Sequence, residues 1–322
     1  MNKKKACLFI AAILTLLCFS SCSDNAYTDD EDELKIVATI FPQYDFARKI
    51  GENKISLKML VSPGGESHSY EPTPQDIIAV KNCDIFICTG GKSDVWSNVI
   101  LSSIDTENIT VIKMIECVDA VEEEITEGMK EKISTEEEDE LEYDEHVWTS
   151  LKNAKKIASE IGNAMISKDK NNEKYFRGNL NDFLNELDSL DSEYENAVKQ
   201  AKKNTLIFGD RFPFRYLFED YGLEYYAAFP GCSTESDVSA KNMMFLINKI
   251  KEEKLPAVYY IEFSARKIAD TISEETGAEP LLFHSCHTVS KSDFENGITY
   301  TDLMKQNLEN LKRGLEIESD RM

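Results

Sequence analysis

The chain has only four histidines, and each stands where a predicted strand ends or a predicted helix begins. His68 lies in the segment GGESHSYEPTPQD, His146 in DEHVWTS, and His284 and His287 in FHSCHTV. Imidazole nitrogens are common zinc ligands, and the carboxyl ends of strands in α/β proteins line ligand-binding clefts. We therefore interpret the histidines as candidate metal ligands, two from each half of the chain. Zinc (Zn2+) is the expected ion and manganese (Mn2+) the alternative.

The cysteines allow two interpretations that exclude each other. No CxxC spacing occurs among the five cysteines beyond the N-terminal leader, so a zinc ribbon is not predicted. Cys232 and Cys286 both follow predicted strands and could pair as a disulfide in an exported protein. Alternatively, Cys232 supplies a thiolate to the metal, which an oxidised cysteine cannot do.

The positioning elements form two runs of alternating strands and helices. Apolar residues recur every three or four positions between 172 and 203, which predicts one helix roughly 45 Å long between the runs. The predicted fold class is α/β, with two lobes of parallel sheets flanked by helices and joined by one long backbone helix. The expected boundaries are 34–168 for the N-terminal metal-binding lobe, 169–203 for the backbone helix and 204–322 for the C-terminal metal-binding lobe.

The first residues have the pattern of a lipoprotein signal peptide over 1–22. Three lysines precede an apolar run that is too short to span a bilayer, and two serines precede Cys22. We predict lipidation of Cys22 and an acidic tether over 23–33. The expected location is extracytoplasmic, either lipid-anchored to the cell membrane or periplasmic.

The charge of the chain limits its partners. The formal net charge is −23 at pH 7, which argues against nucleic acid and suits a cationic ligand. Residues 119–145 contain 14 Asp or Glu and two Lys, which predicts a solvated, mobile loop that ends beside His146. We expect a monomer.

Two segments resemble a known family. VSPGGESHSYEPTPQD and DEHVWTSLKNAKKIA are similar to the two signature segments of the zinc/manganese solute-binding proteins of bacterial ABC importers. The similarity extends in order over nearly all of 34–315. It implies a receptor with two α/β lobes, a backbone helix and a metal in the cleft, which delivers its ion to an ABC permease in the membrane. By this resemblance, His68 and His146 match the first two ligand positions.

The other two ligand positions depart from the family pattern. Gly209 stands where the family has a histidine, although the following Asp210 is retained. His284 stands where the family has its last ligand, an aspartate. We interpret this as an exchange in which one imidazole is lost at 209 and one is gained at 284. His287 is the next candidate, with Asp210 or water as further alternatives.

Three function classes fit these residues. The first is a metal-binding receptor of an ABC importer, for which no enzymatic activity is expected. The second is a zinc-dependent hydrolase of the cell envelope, with Glu262 as its candidate base, although no HExxH motif occurs. The third is a metal-binding surface adhesin, which the sequence alone does not separate from the receptor.

Overall fold

The structure, a computed structural model, describes residues 33–129, 143–233 and 237–317. The predicted signal peptide 1–22 with Cys22, the predicted tether apart from its last residue, and the middle of the acidic loop lie outside the described residues. In the described ranges, no helix has both the length and the apolar character needed to cross a bilayer.

The N-terminal lobe alternates strands and helices around one sheet. Its elements are β1 (Leu34–Ala38), α1 (Phe41–Gly51), β2 (Ile55–Met59), α2 (Pro74–Lys81), β3 (Ile85–Cys88), α3 (Val95–Ser103), β4 (Thr110–Lys113) and α4 (Leu151–Lys168). The four strands are parallel in the order β2-β1-β3-β4. β3 is buried along its whole length, as expected for a central strand covered by helices on both faces. The four predicted strands are confirmed, whereas α3 was not predicted.

One long helix, α5 (Glu173–Lys199), runs between the two sheets. Its 27 residues extend about 40 Å. It packs against α1 and α4, and Gly162 of α4 permits the close approach, since a Cβ there would lie 2.7 Å from Cδ2 of Leu180. The predicted backbone helix is therefore present.

The C-terminal lobe repeats the architecture of the first. Its elements are β5 (Thr205–Phe212), α6 (Arg215–Tyr221), β6 (Glu224–Pro230), α7 (Ala240–Glu253), β7 (Ala257–Tyr260), α8 (Lys267–Thr276), β8 (Glu279–Leu282), α9 (Lys291–Glu295) and α10 (Tyr300–Gly314). The strands are parallel in the order β6-β5-β7-β8, which is the strand order of the first sheet. β8 ends at Leu282, so His284, which was expected at the end of a strand, lies in the loop beyond it.

Helix α10 ties the second lobe back to the first. It packs against α5 and α1, and the Tyr300 hydroxyl at its start donates to the carbonyl oxygen of Trp148 at 2.7 Å. In the same region the Tyr194 hydroxyl of α5 donates to the carbonyl oxygen of Met304, also at 2.7 Å. One hydrophobic core extends from the first sheet through these helices into the second sheet.

The ends of the acidic loop contact the C-terminal lobe, although Glu122, Glu124 and Glu127 are exposed, as expected for a solvated loop. Glu124 accepts hydrogen bonds from Arg215 and from the Tyr225 hydroxyl, each at 3.1 Å. The Tyr216 hydroxyl accepts from the backbone N–H of Val121 at 3.1 Å and donates to the carbonyl of Asp144 at 2.6 Å. The composition of the segment predicted a solvated loop because composition does not show which distant residues form hydrogen bonds with it.

Candidate metal centre

The loop that carries His68 is held by its neighbours. At its far end, the Thr73 hydroxyl caps α2 by accepting from the N–H of Asp76, whose carboxylate accepts in return from the N–H of Thr73. In its middle, the Trp96 indole donates to the carbonyl oxygen of Ser67 at 3.2 Å. The His68 side chain, still 21% exposed, therefore faces the cleft from a fixed backbone.

The carboxylate of Asp144 orients His146. Its Oδ1 accepts from the backbone N–H of His146 at 2.8 Å and lies 2.9 Å from Nδ1 of the same ring. A proton held on Nδ1 leaves Nε2 with a lone pair for a metal. The His146 ring is buried and packs against Gly231. A side chain at 231 would crowd the ring, because its Cβ would lie 3.0 Å from Cε1 of His146.

His287 faces the same region from the C-terminal lobe. Its Nε2 lies 2.8 Å from the Ser67 hydroxyl, a hydrogen bond between the two lobes. Its ring stacks on Trp148 with centroids 5.8 Å apart, and the Trp148 indole donates to the carbonyl of Ser285 at 2.9 Å. These contacts hold the His287 ring in place between the two lobes.

Three of the four histidines line one cavity between the lobes. The cavity has a volume of about 80 Å³, and His68 and His146 enter it from the N-terminal lobe and His287 from the C-terminal lobe. Glu66 and Arg211 also line it. The space suits an ion and a few waters rather than an organic substrate.

The cleft is closed over this cavity by contacts between the lobes. The N–H of Gly64 donates to the Thr288 hydroxyl at 2.9 Å, and Arg211 lies 4.0 Å from the Glu66 carboxylate. Together with the Ser67 bond, they place the histidine-bearing loop directly on the second lobe.

A second cluster of donor atoms lies beside His68. One donor atom each from His68, Glu145 and Cys232 lie within 4.8 Å of one another. Glu145 is only 1% exposed, and its carboxylate accepts from the N–H of Ser93 at 2.9 Å. The cluster therefore combines an imidazole, a carboxylate and a thiol from both lobes.

The pKa values of the histidines reflect burial and neighbouring charge. Burial lowers the pKa of His68, and burial together with the nearby His146 lowers the pKa of His287 to about 4. Burial would also lower the pKa of His146, but Asp144, with Glu145 and Glu123, raises it overall. Metal ligation requires the neutral imidazole, which these environments favour at His68 and His287.

Comparison with known families identifies the class of protein. Residues 36–314 match the family described as zinc-uptake complex component A, periplasmic. The chain belongs to this family. The family prediction made from the two signature segments is therefore confirmed.

Several characterised relatives support this membership. The chain is 29% identical over 332 residues to the high-affinity zinc uptake system protein ZnuA of Bacillus subtilis (strain 168), covering 99% of this chain and 100% of that protein. It is 27% identical over 319 residues to the zinc-binding lipoprotein AdcA of Streptococcus pneumoniae (strain R6), covering 98% of this chain but 62% of that protein. The crystal structure of the Zn(II)-bound ZnuA-like domain of AdcA from S. pneumoniae superposes with a TM-score of 0.72 at 25% identity, covering 88% of this chain and 99% of that domain. The two-lobed α/β fold is thereby confirmed.

The structure leaves no room for a side chain at position 209, where the resemblance leads us to expect a histidine. A Cβ at 209 would lie 2.7 Å from Cα and 2.8 Å from the backbone nitrogen of Ala269, so the packing of α8 on β5 excludes a side chain there. Asp210 accepts from the N–H of Arg211 at 2.8 Å and from the N–H of Ile261 at 3.2 Å. The carboxylate at 210 therefore holds two backbone segments together, and Asp210 lines a neighbouring cavity of about 490 Å³ with His68.

His284 does not join the other histidines. Its side chain lines a separate cavity of about 260 Å³ with Ser290 and Asp293. Its Nδ1 accepts from the N–H of Cys286 at 2.9 Å, and Asn307 bonds both its N–H and its carbonyl. The prediction that an imidazole at 284 replaces the one missing at 209 is not supported by this placement, because the chain turns after β8 and directs positions 284 and 287 into different cavities.

The predicted disulfide between Cys232 and Cys286 is absent, since both cysteines are free. Cys286 is fully buried in the hydrophobic core, with its thiol directed at the carbonyl of His284. Cys232 instead donates its thiol to the Glu145 carboxylate at 3.4 Å. The two residues follow strands in sequence as predicted, but their side chains point into different surroundings.

The sequence patterns did not indicate Glu145 or Arg211 as site residues. Glu145 was counted only among the acids of the loop, although its position directly before His146 was a signal available in the sequence. Arg211 lines the cavity and pairs with Glu66 across the cleft, which no local pattern indicates.

Proposed function

We propose that the protein is the extracytoplasmic receptor of an ABC importer, which captures one zinc ion in the cleft and delivers it to a membrane permease. The observation that carries the proposal is the convergence of His68, His146 and His287 from two lobes on one ion-sized cavity. Membership of the zinc-uptake family, and the zinc uptake and zinc-binding names of the relatives, support it.

Zinc is favoured over manganese by the chemistry of the donors. Three imidazoles line the cavity and the Cys232 thiol lies within 4.8 Å of His68, and such ligands suit zinc, whereas manganese prefers more carboxylate and water oxygen. Manganese remains the alternative cargo.

A receptor role is favoured over hydrolysis by the state of the candidate base. The Glu262 carboxylate accepts from both the N–H and the hydroxyl of Ser285, so it is engaged in holding the loop before His287. A general base needs to reach a water or substrate proton instead. We therefore propose no catalytic role for the site.

The proposed receptor is held at the membrane, where it meets its permease and releases the ion. The chain is lipid-anchored through Cys22, acts as a monomer and docks on its permease with the closed cleft. Release of the ion then requires the lobes to separate, which breaks the contacts of Ser67, Gly64 and Glu66 across the cleft.

Calorimetric titration of the metal-stripped protein with zinc and with manganese tests the proposal. We expect one ion per chain and tighter binding of zinc. His146→Ala should lower zinc affinity by more than about 100-fold, since even residues that only orient ligands contribute about 10–100-fold. His284→Ala is the matched control and should bind zinc as the unaltered protein does. Absence of stoichiometric zinc binding, or unchanged affinity in His146→Ala, would refute the receptor site.

A further inference from the structure

The donor cluster of His68, Glu145 and Cys232 has dimensions close to those of an occupied zinc site. Nε2 of His68 lies 3.9 Å from Oε1 of Glu145, and Sγ of Cys232 lies 3.4 Å from the same oxygen. Tetrahedral zinc has bonds of about 2.0–2.1 Å to nitrogen, 2.0–2.2 Å to oxygen and 2.3 Å to sulfur, which places its donor atoms about 3.3–3.6 Å apart. Only a small contraction separates the cluster from that geometry.

The chain makes specific room for Glu145 in this cluster. A Cβ at position 91 would lie 2.0 Å from Oε2 of Glu145. Because Gly91 has no side chain, the carboxylate fits there, and any other residue would displace it. Both carboxylate oxygens lie within 3.1 Å of the N–H of Ser93, which fixes the group from behind. A carboxylate has about four lone-pair sites, so it keeps capacity for an ion on the side facing His68.

Cys232 enters from the C-terminal lobe next to His146. Gly231, directly before it, allows the His146 ring to lie against the backbone, 3.0 Å from the position of a Cβ. The N–H of Cys232 donates to Glu123, which holds the cysteine loop to the ordered part of the acidic loop. The thiol has no disulfide partner and faces Glu145.

These placements also account for the missing imidazole. Position 209 has no space for a side chain, and His284 lies in another cavity. Nε2 of His287 is engaged by Ser67. Glu145 and Cys232 are therefore the donor groups that lie beside His68.

We propose that His68, Glu145 and Cys232 form the zinc site of this protein, with Cys232 bound as a thiolate, and that His146, which lines the cavity with His68, joins them when the lobes tighten on the ion. The proposal rests on the receptor function proposed above and specifies its ligands. On binding, the S–H bond of Cys232 breaks, an S–Zn bond forms and the proton passes to solvent. One thiolate and one carboxylate then balance the two charges of the ion, and the soft sulfur donor disfavours manganese.

Cobalt substitution provides a direct test, because a cysteine thiolate bound to Co2+ gives an intense charge-transfer absorption in the near ultraviolet that nitrogen and oxygen ligands do not give. We expect this band on adding Co2+ to the metal-stripped protein, its loss in Cys232→Ser, and its retention in Cys117→Ser. Cys117 is the matched control, since it is also free and half-buried but lies in the N-terminal lobe after β4. Circular dichroism establishes that each variant is folded.

A second variant tests the carboxylate independently. Glu145→Gln should keep the charge-transfer band, because the thiolate remains, while zinc affinity falls by more than about 100-fold. Unchanged zinc affinity in this variant would exclude Glu145 as a ligand.

The possible failures are distinguishable. A protein that binds zinc stoichiometrically but shows no thiolate band with Co2+, or keeps the band in Cys232→Ser, would overturn the ligand set and leave the receptor function standing. A protein that binds no zinc at all would overturn the receptor function itself.

Discussion

At the scale of single residues, the site depends on how carboxylates orient and surround imidazoles. The Asp144 carboxylate accepts hydrogen bonds from the backbone N–H of His146 and from Nδ1 of its ring. One carboxylate therefore sets both the position of the ring and its tautomer. Glu145, the next residue, points to the other side and reaches His68 and Cys232. Three consecutive residues thus supply an orienting group and two candidate donors.

Asp144→Asn should weaken zinc binding by about 10–100-fold without removing any ligand, because the amide no longer stabilises the oriented ring. Calorimetric titration measures the change. Asp188→Asn on the exposed face of α5 is the control and should leave zinc affinity unaltered. Equal affinities for Asp144→Asn and the unaltered protein would mean that the His146 orientation does not matter for binding.

At the scale of elements, the packing of α8 on β5 explains why position 209 has no side chain. The pairing of β5 with β6 shifts register between Phe208 and Arg211, where Gly209 and Asp210 lie. Helix α8 approaches there so closely that the Ala269 backbone occupies the place of a Cβ. A histidine at position 209 would therefore require α8 to pack differently on β5.

Gly209→Ala should lower the free energy of unfolding by about 1–3 kcal/mol, since the added methyl meets backbone atoms that cannot rotate away. Gly178→Ala is the matched comparison in α5, where a Cβ meets nothing within 4 Å. That variant should raise stability by about 1 kcal/mol through helix propensity. Urea denaturation compares the two. If both substitutions change stability in the same direction, the packing explanation for Gly209 is wrong.

At the scale of the whole molecule, two sheets with the same strand order are joined by one hydrophobic core and by helix α5. The core continues through α5 and α10, so wide separation of the lobes would expose buried apolar surface. The contacts across the cleft are, by comparison, few and polar. We therefore expect the cleft to open and close by a small tilt of the two lobes about helix α5. The metal favours the closed form because only that form makes all of the bonds to the ion.

Zinc should raise the thermal stability of the metal-stripped protein. At a free concentration about 100 times the dissociation constant, binding to the folded state adds about 2.7 kcal/mol. For a chain of this size, that corresponds to a rise in Tm of about 4 °C. Scanning calorimetry with and without zinc measures it, magnesium at the same concentration is the control, and a chelator should reverse the shift. A Tm that does not respond to zinc would argue against an ion bound between the lobes.

The sequence by itself determined most of the strands and helices and the order in which they alternate, although it did not indicate α3. The strands, the long helix and the caps are encoded by local period and by residues such as Thr73 and Ser150, whose effects reach only a few positions. His68 and His146 were also identifiable, because they lie inside two segments that resemble a family signature.

Only the tertiary structure decided which side chains meet. His284 and His287 are three positions apart, yet they face different cavities because the backbone turns after β8. Cys232 and Glu145 are 87 positions apart, yet their side chains are in contact because the two lobes close on each other. The direction of a side chain beyond a strand end depends on the path of the loop and on the packing of the opposite lobe, and neither is encoded in local composition or spacing.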